Sequence, residues 1–327
     1  MMIFHIVIKL THPTRFSTWL LVLYWYYNLQ EAQRVELLLG IDGGGTGCRA
    51  ALADKAGRIL SRGQSGAANI MTDIEGARTS ILAATRQALQ EAGLRVEAET
   101  SISAVLGLAG ANVGDNATRL EKLLPFAHAK VKSDATIALH GAIGDTDGTV
   151  VILGTGSVFV TRQAGRIRTI GGWGFKVSDL AGGARLGRDL LEETLLAYDG
   201  VHLSSPLAEK TMAMFGNDPH RIVSFAHDAR PSDFGTYAPL VFEYADKGDR
   251  LALLLVEQSL RTIEEALDAI MPPKQDTLCL IGGLGPLYAP RLSPRYRSRL
   301  RPPIGDALSG AVRLAVGLFA HAEANHG

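Results

Sequence analysis

Cysteine is nearly missing from this chain: Cys48 and Cys279 are the only two in 327 residues. Both sit in apolar, strand-like runs, so the chain carries no disulfide framework and reads as a protein of a reducing compartment, the cytoplasm. An excess of one charge is missing as well. Lysine plus arginine and aspartate plus glutamate each number 33, the net charge is zero, and no basic tract occurs. That balance argues against nucleic acid or an anionic membrane surface as a partner. The nine histidines are scattered without zinc-ligand spacing. Neither usual phosphate fingerprint is present: there is no G-x-x-x-x-G-K-[ST], and no clean G-x-G-x-x-G opens a helix.

What the chain does have is glycine, 36 residues of it, placed unevenly. Leu37 to Ile41 reads as a buried strand, and four of the five residues after Asp42 are glycine (Gly43, Gly44, Gly45 and Gly47, around Thr46). A second apolar strand returns from Cys48. A turn without Cβ atoms lets a ligand approach the backbone and can aim several N–H groups at one anion. Asp42, at the strand's end, is placed to face a nucleotide's magnesium directly or through water, and Thr46 to donate its hydroxyl to a phosphate. A glycine-rich hairpin that binds nothing is the plain alternative, and a second copy argues against it. Val150 to Val160, with Leu153-Gly154-Thr155-Gly156-Ser157 at its centre, is again strand, small-residue turn, strand. Two such hairpins suggest a duplicated unit closing on a phosphate chain from both sides.

The composition, 46% apolar and 20% charged, is that of a soluble globular protein, and the length suits two domains. Residues 1–34 stand apart. Seven aromatic residues fall there (Phe4, Phe16, Trp19, Tyr24, Trp25, Tyr26 and Tyr27). The run Phe16 to Leu29 is short of the about 20 apolar residues a membrane span needs. Lys9 and Arg15 imitate a signal peptide, but no A-x-A-like cleavage site follows. We expect an extension that is non-native or disordered, with translation starting near Val35, rather than a membrane anchor.

From Val35 the order is regular. Strands are expected near 36–42, 47–53 and 58–64, a helix over 73–92 ending at Gly93, and a strand over 102–108. A helix near 115–124, a strand near 129–133 and a helix from Asp134 complete a βββαβαβα unit. The pattern starts again with strands near 149–154, 157–162 and 166–170. Gly171 to Asp179 reads as a loop, 182–196 and most of 205–247 as helix, and 250–269 as a long amphipathic helix. A buried strand, 277–281, ends in Gly282-Gly283. The proline-rich stretch 286–303 reads as surface loop, and 306–322 as a closing helix.

The matching residues are Gly40-Ile41-Asp42-Gly43-Gly44-Gly45-Thr46, Ser133-Asp134-Ala135, Leu153-Gly154-Thr155-Gly156-Ser157, Gly171-Gly172-Trp173-Gly174, Ser178-Asp179 and Ile281-Gly282-Gly283. In this order the chain resembles the actin, hexokinase and Hsp70 superfamily. More narrowly it resembles the BadF/BadG/BcrA/BcrD ATPase family, and within it bacterial N-acetylglucosamine and glucosamine kinases. The resemblance covers roughly residues 36–320. It implies an α/β fold of two ribonuclease H-like (actin-like ATPase) domains, 35–145 and 146–327, with a nucleotide cleft between them. The last helix, 306–322, would pack back on the first domain.

It also implies roles. Asp42 would lie near magnesium; Gly43, Gly44, Gly45 and Thr46, with Gly154, Thr155, Gly156 and Ser157, would hold the phosphates of ATP. Gly282 and Gly283 would lie against adenosine. Asp134 falls where sugar kinases place the acid that receives the sugar hydroxyl's proton, and Asn69, Gly172, Trp173 and Asp179 where the family binds its amino sugar. Each residue has a plainer reading: Asp134 and Asp179 as helix caps, Asn69 as a turn residue, Trp173 as a hydrophobic anchor. One departure stands out: where the family has Asp-Glu-Gly-Ser-Gly, this chain has Asp179-Leu180-Ala181-Gly182-Gly183, so an acid is lost at Leu180.

The expected reaction is ATP plus N-acetylglucosamine or glucosamine giving the 6-phosphate, with ATP and Mg2+ as cofactors and a homodimer as the family's assembly. The alternatives are an ATPase activator of a 2-hydroxyacyl-CoA dehydratase type system, or a kinase for another small sugar. The activator needs cluster-ligating cysteines, and Cys48 and Cys279 lack that spacing.

Overall fold

The computed structural model describes residues 37–320, so the expectation for residues 1–34 lies outside the described residues. Two sheets organise the chain. Strands β1 (Leu37–Gly43), β2 (Cys48–Ala53), β3 (Ile59–Ser65), β4 (Ile102–Leu108) and β5 (His128–Ser133) form the first, in the order β3-β2-β1-β4-β5. The hairpin partners are antiparallel, and β4 and β5 run parallel to β1. Strands β6 (Gly148–Leu153), β7 (Ser157–Gln163), β8 (Arg166–Gly171) and β9 (Leu278–Ile281) form the second, in the order β8-β7-β6-β9, with β9 parallel to β6.

Strand β1 is apolar from Leu37 to Ile41 because both of its faces are covered there. Leu37, Leu39 and Ile41 pack with Ile81, Ala84 and Ala88 of helix α1 (Ile74–Glu91). Leu38 points the other way, into a cluster with Leu308, Ala311 and Val312. Helix α1 starts where the sequence indicates: the Asp73 side chain accepts from the Gly76 N–H at 2.9 Å. A short helix, α2 (Asn116–Leu123), precedes β5.

Helix α3 (Asp134–Ile143) leads from the first sheet to the second. One side of it, Ala135, Leu139, Ala142 and Ile143, packs on Val150, Val160 and Cys279 of the second sheet. Buried Arg162 on β7 fastens its far end, donating to the carbonyls of Gly144 at 2.5 Å and Thr146 at 3.2 Å and meeting His140 Nε2 at 2.8 Å. Burial and the adjacent Arg162 charge hold the His140 pKa down to about 4, so the ring is neutral.

The second half adds α4 (Gly183–Tyr198), α5 (Pro206–Met214), α6 (Pro219–Asp228), α7 (Pro231–Gly235), α8 (Ala238–Asp246) and α9 (Arg250–Ile270). Leu186, Leu190, Val241, Phe242, Leu255 and Ile263 from these helices cover Val151, Leu153 and Phe159 on the sheet's other face. The stretch 286–303 differs from its sequence reading. It contains helical turns α10 (Gly285–Tyr288) and α11 (Pro294–Arg297), and Tyr288, Leu292 and Tyr296 are buried in the second core. Proline marks the bends there, while three apolar side chains anchor the path.

The closing helix α12 (Ala307–Ala315), capped by Asp306, returns to the first sheet, as Leu308, Ala311 and Val312 against Leu38 and Val105 show. Its regular part is shorter than expected, giving way to a π-helical turn at Val316–Ala320. Where α12 crosses α3, a Cβ on Gly310 would strike the Ile137 carbonyl and one on Gly141 would strike the Asp306 carbonyl, so both positions need glycine.

Candidate active site

Parallel strands deliver their carboxyl ends to one edge, and α/β sheets bind ligands there. In the first sheet Gly43 is in register with Leu108, and Leu108 with Ser133. The residues that follow, the glycine turn, Ala109-Gly110 and Asp134, therefore share one edge. In the second sheet Ile152 pairs with Ile281, which aligns the Gly154 turn with Gly282-Gly283.

The first turn closes with the Gly44 N–H donating to the Gly47 carbonyl at 2.9 Å. Gly45 and Thr46 are exposed, and nothing lies within 4 Å of a Cβ built on Gly44 or Gly45. In contrast Gly43 is packed, since a Cβ there would sit 2.6 Å from Leu108 and 2.9 Å from Ala68. The second turn closes the same way, from the Gly154 N–H to the Gly156 carbonyl at 3.0 Å. Thr155 is exposed and Gly154 borders open space, as does Gly283 at the end of β9. Gly282, at φ +86°, holds a left-handed turn against the Leu153 carbonyl. Ser157 differs from the rest of its turn: its hydroxyl is buried and donates to the Leu180 carbonyl at 2.6 Å.

Asp134 is the first residue of α3, but it is not the cap. Ser133 is, accepting from the Thr136 N–H at 3.2 Å. The Asp134 carboxylate accepts from the Ala135 N–H at 2.8 Å. Burial pushes its pKa above the usual carboxylate range, and the negative charges of Asp42 and Asp179 push it further the same way, against hydrogen bonds from the Ala135 and Asp134 backbone. Two acids from other stretches of the sequence thus lie near enough to Asp134 for their charge to act on it. Asp42 also pairs with Arg49, its cross-strand partner, and Arg49 reaches Asp306 at 3.7 Å. Residue types alone did not single out Arg49; its place opposite Asp42 in the hairpin was the available signal.

Asp179 does not cap α4, whose N-cap is Gly182 with no side-chain bond. Its carboxylate instead accepts from the Gly174 N–H at 3.1 Å, and burial raises its pKa. It lies beside Gly156, where any Cβ would collide with it. Gly172, at φ +72°, and Gly174, at φ +96°, carry Trp173 between them, and Trp173 is 72% exposed. It is therefore no hydrophobic anchor of this core. Asn69 lies in the loop laid over the first turn, where the Ala68 N–H donates to the Gly44 carbonyl at 2.8 Å. Its side-chain oxygen accepts from the Met71 N–H at 3.0 Å, the turn role foreseen as its plainer reading.

Among the described residues no group of three or more His, Cys, Asp or Glu side chains could hold a metal ion by itself. Magnesium that travels with nucleotide phosphates needs only one or two carboxylates, the rest of its shell being phosphate and water. Asp42, beside an open glycine turn, fits that kind of site. Cys48 and Cys279 are fully buried in β2 and β9, which gives them no surface on which to share a cluster.

A family model for the BadF/BadG/BcrA/BcrD ATPases matches residues 39–286. The chain belongs to that family. It is 34% identical over 278 residues to a glucosamine kinase of Vibrio cholerae, covering 85% of this chain and 95% of the relative. An N-acetyl-D-glucosamine kinase of Dictyostelium discoideum is 26% identical over 256 residues, 72% of this chain and 79% of that one. Among solved structures, a Chromobacterium violaceum protein described as an N-acetylglucosamine kinase superposes with a TM-score of 0.78. It is 34% identical, over 86% of this chain and 99% of the other. The two-lobed ATPase fold read from the two hairpins is thus the fold of the molecule. No helix among the described residues is long and apolar enough to cross a membrane.

Proposed function

We propose that this protein is an ATP-dependent amino-sugar kinase, transferring the γ-phosphoryl group of ATP to the 6-hydroxyl of glucosamine or N-acetylglucosamine. The observation that carries the reading is buried Asp134, at the carboxyl edge of the first sheet beside the open glycine turn, within reach of the charges of Asp42 and Asp179. The two turns cradle the phosphates, with Gly44, Gly45 and Thr46 on one side and Gly154, Thr155 and Gly156 on the other. Gly282 and Gly283 accommodate adenosine. Asp42 would hold magnesium, which would supply positive charge to offset that of the phosphoryl group being transferred.

Asp134 accepts the proton of the attacking hydroxyl. Burial and like charge raise its pKa, and a carboxylate so raised is a stronger base than an ordinary aspartate. Asp179 and Asn69 orient the sugar, and exposed Trp173 supplies an apolar face to its ring. We place the enzyme in the cytoplasm, where its ATP is, as a homodimer.

The test is an ADP-release assay over a panel of sugars, with the phosphorylated carbon located by NMR. Turnover with amino sugars at the 6-position supports the reading. Turnover only with a different sugar, or ATP hydrolysis alone, would sink it.

A further inference from the structure

The segment that carries Asp179 has an uncommon backbone. Asp179 and Ala181, neither of them glycine, both lie in the left-handed region, at φ 59° and 65°. Two such residues so close together persist only where their surroundings over-determine them. Here the surroundings are the nucleotide elements. From the second phosphate turn, the Ser157 hydroxyl donates to the Leu180 carbonyl at 2.6 Å, and Gly156 leaves room for the Asp179 carboxylate. From the other direction, the Tyr288 hydroxyl donates to the Ala181 carbonyl at 3.1 Å. Tyr288 ends α10, the turn that follows Gly282-Gly283 directly, and it is fully buried with its ring edge-on to Phe242 at 4.9 Å.

We propose that Tyr288 is a positioning residue, whose hydroxyl ties the adenosine-binding turn to the strained Asp179–Gly182 segment so that nucleotide occupancy sets where the sugar-binding acid stands. The proposal rests on the amino-sugar reading for the role of Asp179, but not for the link itself. The competing view is that a buried phenol has simply found an acceptor, with Ser259 as its other partner. That view makes the hydroxyl a matter of stability only. A relay makes it visible at Trp173, which shares the loop: the Gly174 N–H beside that ring is bound by Asp179.

The experiment uses full-length protein with Trp19 and Trp25 replaced by Phe, leaving Trp173 as the single tryptophan. ADP is titrated while emission is recorded, and ADP affinity is measured separately by calorimetry. We expect ADP to change the Trp173 emission, and Tyr288→Phe to bind ADP with the same affinity while losing most of that change. In the kinase assay the same variant should raise the sugar KM about fivefold, the worth of one ordinary hydrogen bond, with kcat within about twofold. Adding Ala181→Gly, which accepts this φ without strain, should bring the KM back toward the parent while the emission change stays lost. An intact ADP response in Tyr288→Phe, with an unchanged KM and only a lower Tm, would overturn the proposal. Should Tyr288→Phe alone not fold, the double variant carries the same ADP titration, and an intact response there overturns it equally. The titration needs no sugar, so it decides the link even if the sugar panel refutes the amino-sugar reading.

Discussion

The turn after β1 and the turn after β6 occupy equivalent places, each at the carboxyl end of a strand with a parallel neighbour, and each closed by one glycine N–H. Their side chains share little. The first turn is charged: Asp42 pairs with Arg49, and Arg49 leans on Asp306 at the start of α12. The second has no ionisable residue between Leu153 and Ser157, and its contacts go to the loop after β8 and the start of α4 instead. Besides the Ser157 bond, the Gly183 N–H donates to the Gly154 carbonyl at 2.8 Å and the Ala184 N–H to the Thr155 carbonyl at 2.9 Å. A repeated backbone has thus been given two tasks. In the proposed function the first half manages charge at the phosphates, and the second builds the floor on which the sugar loop stands. Asp134 belongs to neither turn; it sits on the helix that joins the two halves.

The largest effect should come from that joining position. Asp134→Asn removes the proton acceptor while Ser133 still caps α3, so the fold is expected to hold. Loss of a general base costs about 10²–10⁴ in rate, and we expect kcat for amino-sugar phosphorylation to fall at least about 100-fold, with ATP affinity by calorimetry nearly unchanged. The pH dependence has a definite sign. Asp134 must be ionised to act, and its pKa lies above the usual carboxylate range. The rate should therefore fall with acid at a higher pH than an exposed aspartate would give, and that limb should be missing from the variant's residual rate. A group whose pKa is raised by folding stabilises the fold only while protonated, and that contribution is lost as pH rises through the folded pKa. The Asn variant should accordingly melt slightly higher than the parent at neutral pH and no higher in acid. A kcat that survives would return Asp134 to a structural role.

The next effect tests the charged turn alone. Asp42→Ala should cut turnover at saturating Mg2+ and ATP by at least about tenfold, or about 1.4 kcal/mol of barrier. Metal-free nucleotide binding should change much less, because backbone N–H groups of both turns remain. Equal losses with and without metal would mean that Asp42 shapes the turn instead of serving magnesium. Rates unchanged under all conditions would remove it from the site.

Most of this comparison was legible before the structure, for a physical reason. Strands buried on both faces are continuous apolar runs, and turns that must admit a ligand are runs of glycine, so β1, β6 and their turns are visible by composition. Helix α1 was bounded by Asp73 and Gly93 for the same kind of local reason. What stayed hidden depends on contacts across the chain. Nothing local shows that the Asp179 carboxylate lies on Gly156, or that Ser157 turns inward to Leu180. Tyr288 sits among prolines that signal a loop, yet its burial is decided by Phe242 and the helices around it. Ser133 and Asp134 both suit the cap of α3, and only the backbone shows that Ser133 is the cap and Asp134 is one residue inside the helix.

The smallest effects set the two turns against each other directly. Gly156→Ala places a methyl group where the Asp179 carboxylate lies, so the acid or the turn must shift. Overpacking of this kind costs about 1–3 kcal/mol. We expect a lower Tm and a sugar KM raised about tenfold, with a smaller change in the KM for ATP. Gly45→Ala meets open space and needs no left-handed backbone, so its Tm should match the parent. Its methyl group intrudes only on a ligand that approaches the backbone, and it should raise the KM for ATP by about threefold or less and leave the sugar KM alone. Steady-state kinetics on the two variants, with Tm from a thermal melt, separates the outcomes. If Gly156→Ala disturbed ATP more than sugar, the second turn would be a phosphate clamp first and the sugar floor second. If Gly45→Ala disturbed sugar, the first turn would reach further across the cleft than its open setting indicates, and the division of labour between the halves would fail.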